Sequence, residues 1–171
     1  MDTVSIPTQL HSLNDKWNMY YHLPENKNWD LSSYTVLMGN IDSVESVIAL
    51  NNQLHEHVVR NCMLFVMRDG ITPMWEDPKN RSGGCFSYKI NNKAVAKVWK
   101  ELSYVIVGDT ISKQQSFANC VTGITISPKK SFCIVKIWMA DCSNQNPELV
   151  TNELKGIVAQ GCLFKKHAPE F

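Results

Sequence analysis

In CFSYKI (85–90), Phe86, Tyr88 and Ile90 alternate with Cys85, Ser87 and Lys89. That two-residue period predicts a strand with one apolar face. CMLFVMR (62–68) is apolar nearly throughout and reads as a buried strand, and WNMYYH (17–22) as a short aromatic one. CVTGITIS (120–127) and FCIVKIWM (132–139) are β-rich runs joined by PKKS, which predicts a hairpin. Elsewhere the period lengthens to that of a helix. Residues 43–56 put Val44, Val47, Ile48 and Leu54 on one stripe, behind Asp42 and Glu45 in a capping-box pattern. Residues 93–107 put Val95, Val98, Trp99, Leu102 and Ile106 on one stripe, stopped by Gly108. A third helix is predicted over 147–159, opened by the cap Asn146 and by Pro147 at the first helical position. Antiparallel strands with helices between them predict an α+β domain, its helices on one face of a sheet.

Composition narrows this picture. The chain has 171 residues, 44% hydrophobic and 19% charged, which fits one domain with a sizeable core. Residues 1–12 are expected to form a flexible tail. The net charge of +1 sets up no global field, so any anion site must be local. The start, MDTVSIPTQLHSLNDK, lacks a basic-then-apolar leader pattern, and no apolar run approaches the ~20 residues of a membrane span. A cytoplasmic protein is expected. The six cysteines include no C-x-x-C pair and are expected to be reduced and mostly buried.

Candidate catalytic chemistry is thin. His55, His57 and Cys62 lie near one another, but residues two apart do not share a helix face and no fourth zinc ligand is evident. No thiol is marked as a nucleophile, and no glycine-rich phosphate loop is present. The residues make no positive case for an enzyme, a metal or a cofactor.

The tryptophans say more. Trp99 sits on a helical stripe and Trp17 opens a strand, so both read as core. Trp29 and Trp75 lie in polar, turn-rich segments, ENKNWD and GITPMWEDPKNRSGG. Each either caps a core or forms half of a slot for a flat ring. Glu76, directly after Trp75, sharpens the second reading. A carboxylate accepts two hydrogen bonds side by side, and guanine alone among the bases offers two adjacent donors, N1–H and N2–H. Methylation at N7 would make the ring cationic and add cation–π attraction to the stack.

WNMYYH, ENKNW, DSVESVIALNNQL, GITPMWEDPKNRSGG, VWKELSYVIVGD and KIWMADC follow the order and spacing of the eukaryotic translation initiation factor 4E family, the messenger-RNA cap-binding proteins. The resemblance runs from about His11 to about His167. It implies a curved antiparallel sheet with three helices on its convex face and the 7-methylguanosine cap on its concave side. It also implies that Trp29 and Trp75 sandwich the base, that Glu76 reads its edge, and that Trp138 lies near the N7-methyl group. Met74 belongs to the same loop signature. Residues two apart on a strand share a face, so Ile134, Lys136 and Trp138 point together. Lys129 and Lys130 in the hairpin are expected, with Lys136, to serve the cap phosphates; alternatively, the hairpin pair only solubilises a turn.

The chain departs from the family's pattern in places. One phosphate-binding arginine becomes Lys129, a second basic position becomes Ile134, and an arginine after the Gly-Gly pair becomes Cys85. With its short ends, the chain resembles a divergent, trimmed member, cellular or viral. The family's partner surface, for a scaffold-type initiation factor or competing repressors, matches His11, Leu13, Val44, Glu45, Ile48, Lys100, Glu101 and Tyr104. Ile48 replaces a prominent tryptophan there, and Lys100 and Tyr104 replace leucines. The resemblance implies a non-enzymatic monomer that recruits capped messenger RNA for translation. The altered partner surface leaves open a protein that sequesters caps or serves another partner.

Overall fold

β6 (Phe132–Met139) shows how the molecule is layered. Its Cys133, Val135, Ile137 and Met139 enter the main core, while Trp138 joins a smaller cluster on the opposite side. The other strands divide in the same way around a seven-stranded antiparallel sheet. The computed structural model describes residues 9–171. In chain order the elements are β1 (Ser12–His22), β2 (Thr35–Ser43), α1 (Val44–Gln53), α2 (Glu56–Asn61), β3 (Met63–Arg68), β4 (Gly84–Asn91), α3 (Val95–Val107), α4 (Gln115–Cys120), β5 (Val121–Pro128), β6 and β7 (Leu163–Lys166). Sheet order is β2-β1-β3-β5-β6-β4-β7.

The helices bury one face of this curved sheet, so the predicted α+β architecture holds. α3 carries the strongest stripe, with Val95, Val98, Trp99, Leu102 and Ile106 all buried. Trp17 and Trp99 are core residues, as predicted. Arg68, at the end of β3, ties the turn after α3 to the sheet. It pairs with Asp109 at 2.6 Å, donates to the Val121 carbonyl and lies 4.5 Å from the Trp17 ring.

Several boundaries differ from expectation. There are four α-helices among the described residues rather than three. The segment 43–56 is helical only to Gln53, and Ser43, not Asp42, is its N-cap, accepting from the Ser46 N–H. Chain 147–159 is not a helix: after one 3-10 turn at Pro147–Leu149 it runs irregularly. Val150, Leu154 and Ile157 are buried, at a spacing that a helix would also show. However, the Thr151 N–H bonds to the Ile111 carbonyl at 2.7 Å, and Gly156 turns through φ 91°. Tertiary pairing therefore overrides the local pattern. Most of the expected tail at 1–12 lies outside the described residues. His11 does not fit that expectation, because its N–H and ring both bond to Glu45.

Gly83 marks where the loop 69–83 meets the sheet. A Cβ there would lie 1.8 Å from the Met139 carbonyl oxygen. Gly83→Ala is therefore expected to cost ~1–3 kcal/mol, the range for forced overpacking, read as a lower urea midpoint.

Candidate functional site

The sheet face opposite the helices holds a cleft of about 520 Å³, within the usual size range of small-ligand sites. Trp29, Trp75, Trp138, Glu76, Met74 and Lys136 all line it. The structure thus gathers every residue predicted to meet the base, together with one of the three lysines assigned to phosphate. Lys129 and Lys130 sit exposed near the hairpin tip and do not line the cleft.

Trp29 reaches the cleft from the loop between β1 and β2 and is 49% exposed. Asn26 and Asn28 fold this loop on itself, each accepting a main-chain N–H two residues on. Beneath Trp29, the His22 ring stacks 4.1 Å away and 2° from parallel. Tyr34 packs edge-on against Phe65 in the floor. Burial, then the negative charge of Glu76, pushes the Tyr34 phenol up to about 12. Tyr34 thus stays neutral, and it lines the same cleft as Glu76.

The second loop is stiff despite its glycines and prolines. The Asp77 carboxylate accepts from the N–H and hydroxyl of Thr72 and from the Lys79 N–H. Asn80 is fully buried, and its side-chain amide donates to the Thr72 and Met74 carbonyls. Trp75 is carried on this knot and rests on His167, 5.7 Å away and 13° from parallel. Burial holds the His167 imidazole below its ordinary range; the Asn80 carbonyl opposes that shift. Trp138 is buried in the floor, 5.0 Å from His167, and its indole nitrogen has no partner among the described residues.

Glu76 faces the cleft, and one carboxylate oxygen accepts the Glu170 N–H at 3.3 Å. A backbone amide therefore makes the kind of contact that a nucleobase N–H would make. Lys27 also lines the cleft. Lys165 pairs across the sheet with Cys85 and adds positive charge beside that buried thiol. Sequence reasoning missed His22, Lys27, Tyr34, Lys165 and His167. His22 ends the run WNMYYH, and its place in the strand period was the one available signal.

The predicted partner residues gather on the far side, on α1, α3 and the start of β1. Val44 and Ile48 are exposed large apolar residues. His11 bonds to Glu45 at 2.6 Å and draws that carboxyl below its usual range. Lys100 is exposed, and Glu101 pairs with Lys97. His55 spends its ring as the N-cap of α2.

An open sheet face bearing an aromatic cleft with a carboxylate at its edge is the build of a binding domain for a flat, hydrogen-bonding ring. The chain belongs to the eukaryotic initiation factor 4E family, whose model matches residues 12–168. It is 27% identical over 149 residues to the human eukaryotic translation initiation factor 4E, covering 83% of this chain and 65% of that one. The chain thus spans just under two thirds of that relative's length. A homolog from Acanthamoeba polyphaga mimivirus is 34% identical over 87 residues, covering 51% of this chain and 29% of its own. The fold is similar to that of C. elegans eIF4E-3 solved with the 4E-binding protein Mextli and a cap analog. The TM-score is 0.70 at 24% identity, covering 80% of this chain and 78% of that one.

The lowered His167 value makes stability depend on pH. The unfolded imidazole takes a proton near its ordinary 6.5 while the folded one resists, so this contribution is fully present above about pH 6.5. It is lost as pH falls from there toward the depressed folded value. Urea unfolding at about pH 7.5 and about pH 5.5 should show a loss in the acid that is smaller in His167→Phe.

Proposed function

We propose that the chain binds the 7-methylguanosine cap of messenger RNA and serves translation initiation without catalysing a reaction. One observation carries this reading: Trp29, Trp75 and Glu76 line a single cleft although they come from two separate loops. The two indoles stack on the methylated base, Glu76 accepts from N1–H and N2–H, and Trp138 and Met74 pack near the N7-methyl group. Binding requires the guanine edge to displace the Glu170 amide from Glu76. Lys136 meets the phosphates within the cleft, with Lys129 and Lys130 beyond it. The protein acts as a cytoplasmic monomer. No helix among the described residues is long and apolar enough to cross a membrane.

Tryptophan-fluorescence titration tests this. The 7-methyl form of GTP should bind at least about tenfold more tightly than GTP, ~1.4 kcal/mol, since cation–π attraction in desolvated sites reaches ~2 kcal/mol. Trp75→Ala or Glu76→Ala should remove most binding while the fold persists. Lys136→Ala should shrink the affinity gained between 7-methylguanosine and its triphosphate. Equal affinity for GTP and its methylated form would overturn the reading.

The convex face favours a second reading, in which the protein holds caps for a divergent partner. Ile48 is 44% exposed and offers a partner helix less apolar area, and no N–H, compared with an indole. Losing ~50–80 Å² of contact weakens docking by ~1–2 kcal/mol. Lys100, exposed on α3, adds a charge where the family packs a leucine, though the stem of a lysine can still cover apolar surface. Calorimetry with a peptide of the family's ordinary scaffold motif should show weak binding that Ile48→Trp plus Lys100→Leu strengthens about tenfold. Tight binding by the unaltered chain, unchanged by the double substitution, would restore the standard recruitment role.

A further inference from the structure

Each tryptophan loop of the cleft rests on a buried histidine, and the two arrangements share one plan. The His22 ring lies parallel to Trp29 at 4.1 Å, and its Nε2 is 2.8 Å from the carbonyl of Asn28, the residue just before that indole. The His167 ring lies near-parallel to Trp75 at 5.7 Å, and its Nδ1 is 2.7 Å from the Asn80 carbonyl. Asn80 in turn holds the Met74 carbonyl, next to Trp75. A carbonyl only accepts, so the facing nitrogen of each imidazole carries the proton. The remaining nitrogens, His22 Nδ1 and His167 Nε2, are buried without partners among the described residues. At His167 burial opposes a second proton, which would put an unpaired N–H in that place.

Each imidazole grips its loop twice, ring against indole and N–H to main chain. Both are fixed to the sheet itself. His22 is the last residue of β1, and the His167 N–H donates to the Gly83 carbonyl where the second loop joins β4. A loop alone would let an indole sample many rotamers, and a ligand would then bear the cost of ordering it. A ring stacked on the rear face removes that freedom while leaving the front face open.

We propose that His22 and His167 are paired positioning residues that hold Trp29 and Trp75 ready for a flat ligand, each acting by stacking and by its hydrogen bond to the loop. This rests on the slot reading above. It adds that the geometry of the slot is set by two imidazoles that need not touch the ligand.

The test uses three substitutions at each histidine in the full chain. Phe keeps the ring and loses the N–H, Gln keeps a donor and loses the ring, and Leu loses both. Affinity for the 7-methyl form of GTP should fall about tenfold or more in His22→Leu and His167→Leu, with Phe and Gln each restoring part of it. In parallel, 5-fluorotryptophan is incorporated and ¹⁹F spectra of the ligand-free protein are recorded, one line for each of five tryptophans. The Trp29 line should narrow toward a mobile side chain in His22→Leu and recover in His22→Phe, with Trp75 behaving likewise for His167. Should a Leu variant fail to fold, the Phe and Gln pair still separates ring from grip. Wild-type nucleotide affinity together with unchanged ¹⁹F lines in the Leu variants, or in the Phe and Gln variants where Leu does not fold, would overturn the proposal. If the unaltered protein binds no methylated nucleotide, the cap reading falls, and the ¹⁹F lines alone decide the positioning role.

Discussion

A sheet covered by helices on one side only must do something different with its other side, and most of this molecule follows from that asymmetry. The strand period sends Cys133, Val135 and Ile137 toward the helices and Ile134, Lys136 and Trp138 away from them. The first set anchors the strand against α3 and its neighbours. The second set faces a smaller buried cluster of Phe65, Met67, Ile71, Cys85 and Trp138, which leaves room beside it for polar and aromatic groups. Register matters to both at once. A one-residue slip would drive Trp138 into the main core and expose Val135. The pairing of β6 with β4 and β5 is therefore what places the floor of the cleft.

The walls are a separate problem, because they are loops. Loops ordinarily lie over the surface and move. Here the second wall is built as a small polar core of its own, with Asp77 and Asn80 satisfying main-chain groups of the residues around Trp75. Two buried polar side chains in a glycine- and proline-rich loop would be costly if unpaired; the bonds of the Asp77 carboxylate and the Asn80 side-chain N–H groups fix it in one shape, with only Asn80 Oδ1 of this pair left without a partner among the described residues. The sequence GITPMWEDPKNRSGG therefore describes a rigid support rather than a flexible lid. Its aspartate and asparagine, more than its tryptophan, make it so.

The parts legible in the sequence were those with a local period. β4, β6 and α3 announce themselves, and Trp29, Trp75 and Glu76 stand out because large aromatics in polar turns lack a local explanation. β2 was missed because it is an edge strand with Val36 and Leu37 exposed, so its first six residues show no alternation of burial. β7 is four residues long and paired on one side only. The segment 147–159 misled for the opposite reason. Its apolar spacing is helical, but the spacing serves separate contacts with the core and its backbone pairs elsewhere. His22 and His167 could not be recognised from spacing, since 145 residues separate them and only the fold gives them matching roles.

The charges on the concave wall carry the same lesson one step further. Residue by residue, the loss of an arginine at Cys85 and of a basic group at Ile134 reads as a weakened anion site. The sheet shows where positive charge stands instead. Cys85 pairs with Trp138 on one side and Lys165 on the other, and two pairs further along Ser87 faces Lys136. Lys136 and Lys165 therefore flank β4, one strand away on each side, at the ~4.8 Å spacing of a sheet. Their charge acts on the Cys85 thiol, pulling it down against the larger upward push of burial. Neither lysine forms an ion pair among the described residues. A cation lost from one strand can be replaced from its neighbours with a shift of one strand spacing, because an ammonium on a long stem acts as a movable point charge. This placement of charge is invisible to a position-by-position comparison and follows only from the pairing of β4 with β6 and β7.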